Sequence, residues 1–557
     1  MERKRLKILF FFVVIYCCAI PPSLYMTSVY RATIPFQDII DRLRTRELER
    51  QEVHVRIVGV GEFNVLSGMH LLHYLHMLSD ISCANAKSDN QAVCVQFDVI
   101  ANVPQGVDTE QWDRALRRAE DVIGVGAERE IGSGEEARRD DDLGRVLADI
   151  MPSHNGAYTI VWAHSKHANT GNEFAVGTVG QYRHGWLVSQ GNLDEEKAKE
   201  VAVHIDRLTS VITGAKHMRT TGEMVESTLP LATAYRVSYM LWNEACALEW
   251  DFPEIFEGYL AGLFDRLSDI ADYSHESQVL HYVPMLQEPV RTSDGRAGYR
   301  EEDLPFVYPT TLLSNDFTGF RTTINLVGYV PADRSLHVLR DEDRVARTDS
   351  FLMPQIGGLT FMPAPASAAG GGCRRAPSQA EKAHLGVSFL QQIRLLHNLD
   401  DFGENQKVLT SGIRSLRVIR LAVSDVSLWE RDWLIRSRTV EYRARALDNI
   451  RALVFMLAEF QNIVIPDSIR DDVMGALRFL DEVSEAVQEG RLDDAVRHAK
   501  WALRAAEEAN FDEKMLSQLY FPTEHRIAVF VPLLLPALFP VVGKLFSEFR
   551  HVRAKRA

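Results

Sequence analysis

Cysteine is scarce in this chain, with six among 557 residues, too few for the disulfide-dense scaffold of a small secreted domain. No Asn-x-Ser/Thr acceptor occurs anywhere, which excludes an N-linked glycan. Also missing are a Gly-x-Ser-x-Gly elbow, a His-Glu-x-x-His pair and a phosphate-binding loop. Their absence removes the signatures of α/β-hydrolases, zinc proteases and P-loop nucleotide hydrolases. Basic residues are outnumbered, 62 Lys and Arg against 76 Asp and Glu, for a net charge of −14. Such a surface is solubilising and does not neutralise phosphates, so nucleic acid is not an expected partner.

Long hydrophobic runs are present at both ends. The first covers about Leu6 to Met26, unbroken from Ile8 to Ile20, and the second covers Ile527 to Phe546. Arg3, Lys4, Arg5 and Lys7 flank the first; Arg550, Arg553, Lys555 and Arg556 flank the second. Residues 1–7 carry +3 and residues 543–557 carry +4, which leaves −21 on residues 8–542. The positive-inside rule then places both termini in the cytosol and the bulk of the chain across a membrane. The expectation is a transmembrane helix at 8–26 and a second at 527–546, with cytosolic tails at 1–7 and 547–557. About 20 apolar residues suffice to cross the hydrocarbon. A cleaved signal peptide is the alternative for the first run. Pro21-Pro22 follows Cys17-Cys18-Ala19-Ile20 with no Ala-x-Ala site, which favours a retained anchor.

Roughly 480 residues lie between the runs, enough for two or three domains. Strand-like segments at Val53–Val60, Ala92–Ile100, Tyr158–Ala163 and Trp186–Ser189 alternate with helix-like ones at Leu66–Leu78, Asp108–Val122 and Glu195–Thr213. This alternation indicates a layered α/β fold over residues 27–362. Further strands are expected at Tyr235–Leu241, Val279–Val283, Thr323–Val330, Leu336–Leu339 and Ile356–Met362, and an amphipathic helix at Pro253–Ala271. Residues 363–377 read as a flexible loop rich in Pro, Ala, Ser and Gly. Residues 378–526 read as a helical region, with Val440, Ala444, Leu447, Arg451 and Val454 on one face. It ends in a helical hairpin, Ser468–Gln488 and Asp493–Ala509, turning at Gly490.

Few residues point to chemistry. His70, His73 and His76 recur every three positions and drift round a helix, so they do not converge as metal ligands. Gly59-Val60-Gly61 lacks the third glycine of a dinucleotide loop, because Asn64 stands there, and reads as a tight strand-to-helix turn. No cofactor is expected. Cys83 and Cys94 are spaced to close a short loop in an oxidising compartment; free buried thiols are the other reading. Cys246 and Cys373 sit in no recognisable nucleophile context. Pro532, Pro536 and Pro540 repeat every four residues on nearly one helical face. Each frees a carbonyl that lipid cannot satisfy, which marks a candidate membrane interface with partner helices.

Several segments, taken in order, resemble the PIG-S family, subunits of the glycosylphosphatidylinositol (GPI) transamidase. They are Tyr30-Arg31-Ala32-Thr33-Ile34-Pro35-Phe36, Ser277-Gln278-Val279-Leu280-His281-Tyr282, Asn325-Leu326-Val327-Gly328-Tyr329-Val330-Pro331 and Asn462-Ile463-Val464-Ile465. The last pair is Leu519-Tyr520-Phe521-Pro522 and Ala528-Val529-Phe530-Val531-Pro532-Leu533-Leu534-Leu535-Pro536. Ile356-Gly357-Gly358 departs from the family's Trp-Gly-Gly, and Pro363–Gly372 resembles an insertion. The resemblance implies a non-catalytic, two-pass subunit of the endoplasmic reticulum membrane. It would work beside membrane lipid and the other subunits, one of them caspase-like and catalytic. Arg553 and Lys555 then resemble a dibasic retrieval signal. The alternative is a membrane-anchored luminal hydrolase with an unrecognised site.

Overall fold

The computed structural model describes residues 32–35, 39–40 and most of 51–512, with Phe10 and scattered positions between 532 and 550. Two compact units divide the chain. The larger comprises Glu47–Arg445 and Phe479–Trp501, the smaller Met1–Arg46, Ala446–Arg478 and Ala502–Ala557.

The described elements begin with β1 (Gln51–Gly61), α1 (Val65–Ser88), β2 (Val93–Ile100), α2 (Thr109–Ile123), α3 (Ser133–Ile150), β3 (Tyr158–Ser165), β4 (Ala175–Val179), β5 (His184–Gln190) and α4 (Glu195–Thr213). Then come β6 (Ala234–Asn243), α5 (Phe252–Ile255), a π turn (Phe256–Leu260), α6 (Ala261–Leu267), β7 (Asp272–His281), β8 (Val290–Arg291), β9 (Ala297–Arg300), α7 (Leu304–Val307), β10 (Arg321–Val330), β11 (Leu336–Arg340), β12 (Arg344–Val345), β13 (Ser350–Met353) and β14 (Gly357–Phe361). The chain continues through α8 (Gln379–Leu396), β15 (Gln406–Thr410), β16 (Ser415–Arg420), α9 (Leu428–Glu459), α10 (Asp467–Gln488) and α11 (Leu492–Asn510).

In the larger unit, a seven-stranded sheet has the order β15-β16-β4-β5-β3-β1-β2. Its centre is parallel, with β1 between β2 and β3 and β5 beyond β3. Val53, Val55, Ile57, Val58 and Val60 of β1 are all buried, the near-continuous apolar run of a strand covered on both faces. On one face Trp112, Ala115, Ala119 and Ile123 of α2 join Leu143 and Leu147 of α3 against Val58, Val60, Val161, Ala163 and Trp186. Their helical spacing makes the stripe that seeks this cover. α4 buries a stripe of its own through Ala198, Val201, Ile205, Leu208 and Ile212.

A second sheet has the order β13-β14-β10-β6-β7, parallel except for β13. Its central strand β10 carries the Asn325–Val330 motif, and the next motif, Ser277–His281, completes β7. One face packs with Met285, Tyr299, Leu304 and Val338, from the region of a small sheet β12-β11-β9-β8. α8 lies on β13, β14 and β10. It opens with Ser378 as N-cap in a reciprocal capping box with Glu381, which satisfies two amide donors the helix cannot. Gln392 of α8 donates to Ser350 Oγ at 2.8 Å and Thr360 Oγ1 at 3.1 Å.

His397, at the end of α8, sits with Nε2 3.1 Å from Tyr273 Oη. Burial, helped by the Arg438 charge, pushes its pKa down to about 3. In the unfolded chain the ring protonates near the ordinary value, so below about pH 6.5 the unfolded state binds the extra proton. Folding stability is therefore expected to fall by about 1 kcal/mol between pH 6.5 and 5.5 from this group. His275, also pushed down by burial, adds in the same direction. Urea unfolding at the two pH values should show a smaller difference for His397→Gln; an equal difference would contradict the assignment.

In the smaller unit, Ala32 N donates to Ile465 O at 2.8 Å, so the segment of the Tyr30–Phe36 motif meets the end of the Asn462–Ile465 motif. Ala32, Ile34, Ile39, Ile465 and Ile469 are buried. Ser468 Oγ donates to Asp512 Oδ2 at 2.9 Å.

The mixed α/β fold followed by long helices agrees with the expectation. The two flanking transmembrane helices are corrected: among the described residues no helix is long and apolar enough to cross a membrane. Apolar length sets a transfer energy, whereas a span also needs an unbroken helix that satisfies its own backbone. Within 8–26 and 527–546 the described positions are Phe10, Pro532, Pro536, Phe539, Val542, Gly543, Lys544 and Phe546; the other residues lie outside the description. The two-pass arrangement and the cytosolic termini rested on those helices and go with them. β15 and β16 also differ from the helical reading of 378–526. They are short strands that extend the first sheet beyond β4.

Candidate functional site

A cavity of about 370 Å³ opens at the amino ends of β3 and β5. Its floor is one row of the parallel register. Arg56 on β1 pairs with Thr159 on β3, and Thr159 pairs with His184 on β5. These positions share a face with Val58, Val161 and Trp186, so the polar row begins where the apolar layer under α2 and α3 ends. α3 supplies the opposite wall with Asp141, Gly144, Arg145 and Leu147; Ala157, Tyr182, Arg183 and Leu428 close the ends.

Most charges on this wall are matched locally. His184 Nε2 lies 3.0 Å from Asp140 Oδ1, and Asp140 Oδ2 accepts from Gln181 N at 2.9 Å. Tyr182 stacks on His184 with ring centres 5.4 Å apart. Arg145 pairs with Asp142 at 3.2 Å. Asp141 Oδ1 accepts from Tyr182 Oη at 2.9 Å and Gln181 Nε2 at 2.7 Å. Burial, then this bond to Asp141, raises the Tyr182 pKa.

Arg183 turns away toward α9. Its guanidinium grips Asp432 with two bonds, at 2.5 and 2.7 Å, and that hydrogen bonding holds its pKa up. Tyr158 Oη donates to Asp432 at 3.2 Å and accepts from Arg436 Nη1 at 2.8 Å. Burial pushes Tyr158 up to about 12. On the same helix, Arg394 of α8 pairs with Glu430 at 2.7 Å, Arg438 pairs with Glu441 at 2.6 Å, and Tyr442 Oη donates to the carbonyls of Ala232 and Ile270. The first half of α9 is thus a buried charged clasp between the layers of the larger unit.

The carboxyl ends of the strands, where open parallel sheets usually bind ligands, hold a Ser/His pair. His164 Nδ1 lies 3.0 Å from Ser189 Oγ, which accepts from Trp162 Nε1 at 2.8 Å. Both residues are buried, Ser189 at 0% exposure, so no substrate reaches that hydroxyl and the hydrolase alternative is not favoured.

The structure joins Cys83 of α1 to Cys94 of β2 as a disulfide, Cα atoms 4.8 Å apart. His70, His73 and His76 lie along α1, and among the described residues no group of metal-ligating side chains converges. Gly61 ends β1 and α1 starts at Val65. Pro532 and Pro536 are helical and exposed; Pro540, Arg553, Lys555, Cys246 and Cys373 lie outside the described residues. Sequence reasoning passed over Arg56, Asp140, Asp141, Tyr182, His184 and Asp432. A charge interrupting the apolar strand Val53-His54-Val55-Arg56-Ile57-Val58 was the available signal for the first; Asp432 had none, because its partners are remote in sequence.

A family model described as "PIG-S: Phosphatidylinositol-glycan biosynthesis class S protein" matches residues 10–555. A Bos taurus protein named "GPI-anchor transamidase component PIGS" is 26% identical over 333 residues, 58% of this chain and 59% of the relative. The Homo sapiens protein of the same name is 25% identical over 349 residues, 61% of each. Saccharomyces cerevisiae "GPI transamidase component GPI17" is 31% identical over 118 residues, 20% of this chain and 21% of the relative. The alignments with the two mammalian proteins therefore span about six-tenths of their length.

Proposed function

We infer the function from one premise: the chain belongs to the PIG-S family, phosphatidylinositol-glycan biosynthesis class S proteins. Its role on this reading is that of a non-catalytic subunit of the GPI transamidase in the endoplasmic reticulum. It supports assembly and activity while a caspase-like subunit supplies the nucleophile. The observation that carries the reading is the family match along nearly the whole chain, together with relatives from cattle to yeast named as transamidase components.

The chemistry of the fold is in keeping with this. On α9, Asp432, Glu430, Arg436, Arg438 and Tyr442 are engaged by Arg183, Arg394, Tyr158, Glu441 and backbone carbonyls, which stabilises a shape rather than a reaction. The Ser189 hydroxyl is sealed, and Cys83 is tied to Cys94. A scaffold of this kind acts through its surfaces.

Deleting the chain from its own cells is expected to lower surface GPI-anchored proteins and to accumulate proproteins with their C-terminal signals attached. Flow cytometry for an anchored marker, with immunoblotting for the uncleaved form, measures both. Normal surface levels and no uncleaved form would contradict the assignment.

A further inference from the structure

The charges lining the cavity under α3 do not all cancel. Arg183 is matched by Asp432 and Arg145 by Asp142, while Asp140 faces the His184 ring at 3.0 Å. Two opposite charges are left. Arg56, half-buried in the floor, makes no hydrogen bond or ion pair among the described residues; its register partner on β2, Asp98, is engaged by His54 Nδ1 at 3.1 Å instead. Asp141 receives hydrogen bonds only from the neutral Tyr182 and Gln181 and pairs with no cation among the described residues. Both line the same space, one from the sheet and one from α3, yet they form no ion pair with each other.

A half-buried charge without an ion-pair partner is costly, and a cavity that keeps two opposite ones apart is complementary to a molecule carrying both. We propose that this cavity binds a small zwitterion, its anionic end on Arg56 and its ammonium on Asp141. At about 370 Å³ the space is in the range of small-molecule sites. The guanidinium offers a planar fork of donors for a carboxylate, sulfonate or phosphate. Asp141 keeps lone pairs for an ammonium after accepting from Tyr182 and Gln181, and the Tyr182 ring adds an aromatic face. Thr159, in register with Arg56, offers a hydroxyl at the anionic end. Leu147 and Leu428 line the space with apolar surface suited to a short alkyl linker. The site stands on charge and geometry and does not rest on the assembly reading.

A free amino acid and an aminoalkyl phosphate headgroup share this chemistry. The test uses the purified full chain and calorimetric titration with glycine, β-alanine, 4-aminobutyrate and taurine. Controls are butylamine, butyrate and the methyl ester and N-acetyl forms of the best ligand. One zwitterion should bind at least about tenfold more tightly than either singly charged form. Arg56→Met should remove the preference for the free acid over its ester, and Asp141→Asn the preference for the free amine over its N-acetyl form. Sedimentation with vesicles of phosphatidylethanolamine, against phosphatidylglycerol, separates the sources: Arg56-dependent capture by the former assigns a lipid headgroup, and its absence alongside tight binding of a soluble zwitterion assigns a free molecule. Equal binding of zwitterion and singly charged controls by the unaltered chain, or no binding of any probe including the vesicles, overturns the proposal whether or not the variants fold.

Discussion

Replacing Gly357 by alanine is expected to destabilise the larger unit by upwards of about 3 kcal/mol. Gly357 has φ of +137°, and a Cβ there would lie 1.8 Å from the carbonyl oxygen of Asn325. That oxygen belongs to the central strand β10, and Asn325 is the register partner of Gly357. Two costs therefore combine: a backbone conformation that L side chains rarely adopt, and a collision with main chain that yields only if β14 separates from β10. The next residue compounds the constraint, since a Cβ on Gly358 would meet Gln392 Oε1 at 2.1 Å. Gly475→Ala is the internal control. Nothing lies within 4 Å of its added Cβ, and the helix interior favours alanine over glycine by up to about 1 kcal/mol. Denaturant unfolding should show a large loss for the first and none for the second. A Gly357→Ala protein within about 0.5 kcal/mol of the unaltered chain would remove the steric account.

The second large effect belongs to Asp432→Ala. The Asp432 carboxylate is buried with 1% side-chain exposure and answers Arg183 directly and Arg436 through Tyr158. Removing it leaves the buried Arg436 and the partly exposed Arg183 without a counter-charge, a loss of about 3 kcal/mol. The penalty comes from the stranded charges rather than from the missing bond. Arg183→Met added to Asp432→Ala is therefore expected to restore part of the stability. A double variant no more stable than the single one would show that Asp432 acts by packing alone. Thermal and urea unfolding of the three proteins settle the comparison.

How far these features were legible depends on the range of the interaction. Periodicity found β1, β2, β3, α2 and α4 within a few residues, because each buries its own stripe or run. It found only the end of β7, whose exposed edge position leaves Asp272–Gln278 without an apolar pattern. α3 was passed over, since Glu135–Asp142 is almost entirely charged and only Leu143 and Leu147 mark a buried face. β15 and β16 are short strands within a mainly helical stretch. The Gly357-Gly358 pair was visible as a motif, but its reason, the approach of Asn325 and Gln392, required three dimensions. The same holds for the cavity. Arg56, Asp141 and His184 lie far apart in sequence, and only the parallel register of β1, β3 and β5 and the placement of α3 bring them to one space. Local residue pattern does not show that kind of convergence.

Assembly with the transamidase is the central claim, and co-purification tests it most directly. The tagged full chain, expressed at its natural level and purified from a mild detergent extract, is expected to bring down the other GPI transamidase subunits, identified by mass, in near-equal amounts. The caspase-like subunit should be among them, and its active-site nucleophile should account for the transamidase activity of the preparation. A chain that is folded and abundant yet emerges alone, or with none of those subunits, would contradict the account.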